Sequence, residues 1–277
     1  MDTRVFANGK LVLDGNNQVW VRSNDRYDPS INEVKAIIGD RWFLNSTDKV
    51  VHTGRQQMAC DHINFDSTVK SIVSVRNHLR ILLENGQVWK MNHYVGWGMS
   101  STHLVHQGII HMWMLGIRSI LKTSQGVARI MMIDQEGRIL HSPNGWSKDD
   151  YRVLSEATTA KVLKISNNAV LYDDGMVRII DHIKVEIPIV SSYQLPIPAI
   201  DISYNQGLFL LSESNVLYHY DKKTCQPLSE RCPGLNDYNP IRLCALDSKS
   251  ILSFEDISGR FYNLTKDYEL VDAKIPL

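Results

Sequence analysis

The chain has 277 residues, 43% of them apolar and 22% charged, which is an ordinary globular balance in a chain long enough to bury a large core without staples. Thirty basic residues face thirty acidic ones, so bulk charge argues neither for nucleic acid nor for an anionic membrane. At this length one all-β propeller or barrel is as ordinary as two average domains.

In chain order, the N-terminal MDTRVFANGK lacks the apolar core of a signal peptide. The first element is a hairpin, LVLDGNNQVW (11–20). Its kind returns as WFLNSTDKVV (42–51), RILLENGQVW (80–89), IMMIDQEGRIL (130–140), AVLYDDGMVR (169–178), LFLLSESNVLY (208–218) and ILSFEDISGRFY (251–262). Each is an apolar run, a turn rich in Asp, Asn, Glu or Gly, and a second apolar pair, the pattern of a β-hairpin. The residues just past the turns run from Val19 to Phe261 in six steps, a mean period of about 40 residues. A short strand precedes most hairpins: VKAI (34–37), VKSI (69–72), IRSI (117–120), AKVL (160–163), AIDI (199–202) and IRLC (241–244). About four strands fit each period, the content of one propeller blade. The expectation is therefore all-β: a single seven-bladed propeller over residues 1–277. Six entry strands serve seven hairpins, and DAKIPL (272–277) has the shape of the missing one. Paired beside the blade of residues 4–22, its residues 273–277 would close the ring with strands from both termini and leave no exposed edge.

The third repeat, VKSIVSVRNHLRILLENGQVWKMN (69–92), carries Val69, His78, Leu82, Asn85, Gly86, Val88 and Trp89 in an order that resembles a blade of the regulator-of-chromosome-condensation type of propeller. Weaker copies elsewhere extend the resemblance over nearly the whole chain. The family's glycine pairs before the His are mostly absent, and only 16 glycines serve seven repeats. The resemblance implies a disc that binds proteins, among them small GTPases and chromatin. A protein-interaction scaffold without catalytic activity is the first reading. The alternatives are nucleotide exchange on a small GTPase and a structural part of a large assembly, such as the particle of a large DNA virus.

The most unusual interval is 92–116, NHYVGWGMSSTHLVHQGIIHMWMLG, in the longest spacing between hairpins. Residues 109–115 read as an ordinary strand and the remainder as a long loop. Loops on a rigid scaffold often carry function, and Tyr, Trp and Met are favoured at interface cores. Tyr94, Trp97, His103 and His106 are the candidate protein contacts. The four histidines His93, His103, His106 and His111 match no strong zinc spacing, so no metal or other cofactor is expected. GWGMSS (96–101) lacks the lysine and the strand-turn-helix context of a phosphate loop. Glu84, Asp134, Asp173 and Asp174 recur at hairpin tips, where acids serve turns rather than catalysis. Trp20, Trp89, Tyr218 and Tyr262 recur at blade ends, which suits packing between blades better than a stacking platform. SKDDYRVLSEATTA (147–160) reads as a helical turn, 189–200 as an extended connection, and 225–240 as a Pro/Gly-rich loop. Cys60, Cys225, Cys232 and Cys244 lack C-x-x-C spacing and read as reduced thiols of an intracellular protein, cytoplasmic, nuclear or packaged in a virion.

Overall fold

A computed structural model describes residues 4–5, 11–13, 18–23, 26–31, 33–39, 42–52, 65–75, 78–92, 102–115, 129–142, 151–181, 187–205, 207–221, 223–244 and 250–273. The first sheet contains β1 (Arg4–Val5), β2 (Leu11–Leu13), β3 (Val19–Ser23) and β4 (Arg26–Ile31). The second contains β5 (Val34–Gly39), β6 (Trp42–Asn45) and β7 (Val50–His52). The third is β8 (Val69–Val75), β9 (His78–Leu83), β10 (Val88–Asn92) and β11 (Thr102–His106); the fourth is β12 (Ile109–Leu115), β13 (Arg129–Asp134), β14 (Ile139–Ser142) and β15 (Arg152–Val153). The fifth is β16 (Val162–Ser166), β17 (Ala169–Tyr172), β18 (Met176–Asp181) and β19 (Ile189–Gln194). The sixth is β20 (Ala199–Tyr204), β21 (Leu208–Ser212), β22 (Leu217–Tyr220) and β23 (Cys225–Pro227); the seventh is β24 (Pro240–Cys244), β25 (Leu252–Asp256), β26 (Phe261–Leu264) and β27 (Leu270–Asp272).

The fold is an all-β β-propeller with six four-stranded blades, which corrects the expected seven. The hairpin 42–51 stands instead in a sheet of three strands among the described residues. A hairpin signature reports only the two middle strands of a blade, so counting hairpins overcounts blades. The entry strand expected to be missing before the first hairpin is present. Arg4 and Val5 pair with Leu13 and Val12, so the N-terminus itself supplies the strand before the first hairpin. At the other end β27 pairs with β26, and the Ala273 amide donates to the Phe261 carbonyl at 2.9 Å within its own sheet. Two residues of strand are too few to see in a sequence pattern. The rest of the expected closing strand, 274–277, lies outside the described residues.

The strand that pairs with β13 is β12, not IRSI, whose residues 117–120 lie outside the described ones. The expected helical turn is not found at its described end: Arg152 and Val153 pair with His141 and Leu140 as an outer strand. Residues 189–194, expected as a connection, are likewise an outer strand.

Why these segments pair is visible in their burial. On β9, Leu79, Ile81 and Leu83 pack with Ile38, Trp42 and Ile72, whereas Leu82 packs with Val88, Ile130 and Met132 on the opposite face. Both faces are covered, so the strand reads as a continuous apolar run rather than an alternation. Each such side chain, fully buried, contributes about 1.5–3 kcal/mol. The chain gathers into two compact units, one of residues 1–34, 160–180 and 191–277, the other of 35–159 and 181–190. In the first unit Leu171 and Val177 pack against Ile202 and Leu210, and Leu211 and Leu217 against Leu252 and Phe254.

Most hairpin turns share one construction. In the third sheet the Gly86 amide donates to Leu83 at 3.0 Å and the Leu83 amide to Gln87 at 2.9 Å. This is a three-residue loop whose last residue is left-handed, and Gly86 has φ +83°.

Candidate functional site

The third and fourth sheets, both in the second unit, enclose a groove of about 740 Å³. Its lining includes the short link Gln107–Gly108 between β11 and β12 and Ile109, the first residue of β12. The Ile109 amide donates to Gly86 at 3.0 Å, and the Gln135 amide donates to Gly108 at 2.9 Å, so the link is tied to the hairpin turn on each side. Asn85 and Gln87 line one wall; Gln135, Glu136 and Arg138 line the other.

His106 and Tyr151 face each other across this groove, ring centroids 5.1 Å apart at 85°, an edge-to-face pair. Tyr151 is 46% exposed and immediately precedes β15, so the outer strand of the fourth sheet positions it. Arg138 donates through Nε to Asp134 Oδ2 at 2.7 Å and through Nη2 to Glu136 Oε2 at 3.1 Å. The Asp134 hydrogen bond, then its charge, holds the Arg138 guanidinium above its usual value. Asp134 also accepts the Arg138 backbone amide at 2.8 Å, so it closes its own turn. Both carboxylates are engaged by one fixed cation. The surface offers amide, charged and aromatic groups.

The sequence-expected contacts are distributed as follows. His106 lines the groove. His103 is exposed on β11, opposite Lys90, which is itself opposite Arg80, so three basic side chains line up across the third sheet. Burial lowers Arg80 to about 10 and, with the nearby Arg80 charge, also lowers Lys90. Tyr94 and Trp97 lie outside the described residues. The 92–116 interval is not surplus to the blades, since it contains both β11 and β12. His111, half-buried on β12, is depressed by burial and then by Lys70. Among the described residues no group of three or more His, Cys, Asp or Glu is placed to hold a metal ion. No helix among them is long and apolar enough to cross a membrane.

The other acids at the hairpin tips are structural: Glu84 and Asp173 reach the segment that begins their own sheet, and Asp174 closes its own turn. Asp173 accepts the Lys161 amide at 2.8 Å, and Asp174 the Met176 amide at 2.9 Å. The blade-end aromatics Trp89, Tyr218 and Tyr262 pack against hydrophobic clusters. Cys225, Cys232 and Cys244 are free thiols. Reasoning on the sequence missed Tyr151 and Arg138. Tyr151 lies in a segment that reads as a helical turn, and Arg138 follows a turn like many other basic residues; only the packing of two sheets brings them to His106.

No family model matches the chain, and no curated protein does. Solved structures are similar to it. Prp20p from Saccharomyces cerevisiae, described with its binding to Gsp1p and histones, has a TM-score of 0.52 at 11% identity over 84% of this chain and 77% of that one. The Cps50 (Swd1) β-propeller domain from Myceliophteria thermophila has a TM-score of 0.53 at 9% identity over 95% and 96%. KlAtg21, solved with the coiled coil of AgAtg16, has a TM-score of 0.57 at 11% identity over 98% of both chains. At these identities the likeness shows the β-propeller fold alone.

Proposed function

We propose that the chain, as one domain, is a non-enzymatic protein-binding scaffold, a divergent propeller of the regulator-of-chromosome-condensation type. Its contact surface is the groove around His106 and Tyr151 together with the expected contacts Tyr94, Trp97 and His103. The observation that carries this reading is the groove itself. Two aromatic rings stand over a wall on which Arg138 is fixed by Asp134 and Glu136, a mixture of anchor and charge that suits a protein side chain or loop. Protein partners in general are supported by the neighbours: Prp20p is described as binding Gsp1p and histones, and KlAtg21 was solved with a coiled coil.

The test is affinity purification from the native source, with mass spectrometry of the eluate, comparing the parent with a His106→Ala/Tyr151→Ala variant. A partner anchored here should fall about tenfold in recovery, while the thermal midpoint stays within a few degrees. An unchanged partner set at unchanged recovery would refute the assignment. The same eluate separates a small GTPase, assayed by release of labelled nucleotide, from a particle component present at fixed stoichiometry.

A further inference from the structure

The first strands of the sheets share a feature that the groove does not use. Strand pairing skips the second residue of the first strand at Lys70, Ile110, Leu163, Ile200 and Ile241. Such a bulge residue leaves the ladder, and the local twist re-aims its side chain. In the second unit Lys70 reaches the turn acid Glu84 at 3.8 Å, and Lys35, second residue of β5, pairs with Asp48 at 2.7 Å.

In the first unit the same position is aliphatic in three consecutive sheets: Leu163 is 50% exposed, Ile200 41% and Ile241 42%. Their strands are fastened side by side through the residues that follow. Lys164 Nζ lies 3.2 Å from Asp201 Oδ1, and the Leu243 amide donates to Asp201 Oδ2 at 2.8 Å. A fourth aliphatic, Ile257, is 70% exposed in the turn of the seventh sheet, and its amide donates to Asn239 at 2.9 Å, two residues before Ile241. A single exposed isoleucine needs no explanation, but three at one register position in neighbouring strands with a fourth beside them form a patterned surface. The turn acids Asp173, Asp174 and Glu213 remain exposed where the lysine has been replaced. Among the described residues none of these three carboxylates is in an ion pair.

We propose that this edge docks a segment of another protein in which two or three aliphatic or aromatic side chains are flanked by lysine or arginine. The apolar side chains cover Leu163, Ile200 and Ile241. The basic ones stand beside Asp173, Asp174 and Glu213 as Lys70 stands beside Glu84. The two surfaces share no residue, so each assignment can fail alone.

The experiment pans a random twelve-residue peptide-display library on the full chain, then measures a labelled synthetic copy of the enriched sequence by fluorescence anisotropy. The expected motif has apolar residues between Lys or Arg. Its affinity should fall about tenfold in Ile200→Asn/Ile241→Asn, fall in high salt, and be unchanged in Tyr151→Ala. Should the double variant not fold, Asp174→Lys/Glu213→Lys must produce the same loss. No enrichment, an acidic or purely polar motif, or affinity indifferent to both variants overturns the proposal. So does concentration-dependent self-association abolished by Ile200→Asn/Ile241→Asn, which would make the occupant a second copy of this chain.

Discussion

Replacing Asp201 with Ala should be among the most damaging single changes in the first unit. The carboxylate is buried on β20, where Oδ1 accepts the Ile202 amide at 2.7 Å and Oδ2 the Leu243 amide at 2.8 Å. Ile202 and Leu243 are themselves buried. Each buried donor left unmet costs about 1–3 kcal/mol. Two of them set a range of about 2–6 kcal/mol, and partial relaxation of the bulge or entry of a water puts the expectation near 3 kcal/mol. Lys164, the ion-pair partner, is partly exposed and can turn to water, so Lys164→Met should cost no more than about 1 kcal/mol. Asp201→Asn keeps one acceptor and should fall between. Urea unfolding followed by circular dichroism ranks the three variants. Hydrogen exchange of the Leu243 amide gives the local readout and should rise most in Asp201→Ala. The reasoning is refuted if Lys164→Met costs as much as Asp201→Ala, or if Asp201→Ala costs under about 1 kcal/mol with the Leu243 amide still protected.

Three further outcomes follow from named positions. Gly137 and Gly259 both have positive φ, but a Cβ at Gly137 would sit 2.4 Å from the Thr158 carbonyl oxygen while one at Gly259 meets nothing within 4 Å. Gly259→Ala should therefore cost about 1 kcal/mol of backbone strain and Gly137→Ala clearly more, measured by denaturant midpoints. Burial pushes the Cys244 thiol up to about 12 and also raises that of Cys225, which is only half-buried. Iodoacetamide at pH 8 should consequently label Cys225 in the native protein and leave Cys244 unlabelled until unfolding, as read by peptide mass spectrometry. Backbone amides of Thr224 and then Lys223 hold the Asp221 carboxyl down at about 2. A depressed folded-state value stabilises the fold above the unfolded value of about 4 and is lost as pH falls toward 2. The stability difference between parent and Asp221→Ala should accordingly be constant at neutral pH and vanish across that window, whereas a difference persisting below pH 2 would assign Asp221 a role other than its charge.

Local chemistry was legible in the residues themselves. Glu84–Asn85–Gly86 and its relatives announce turns because few residues accept a left-handed backbone, and runs such as Leu208–Leu211 announce strands covered on both faces. That is enough for an all-β repeat and for the structural role of the tip carboxylates. The blade count was not legible, because a turn signals its two flanking strands and says nothing of the outer one. Arg152–Val153 and Cys225–Pro227 are too short to carry a period, and Arg4–Val5 becomes a strand only because Val12 and Leu13 lie beside it. The groove was half legible: His106 stood out by composition, but Tyr151 and Arg138 come 45 and 32 residues later and reach it only when two sheets pack. The exposed edge was hidden more deeply. AKVL, AIDI and IRLC look like ordinary strand starts, and whether Leu163, Ile200 and Ile241 point into a core or into water depends on a one-residue slip in register that hydrogen bonding between strands decides.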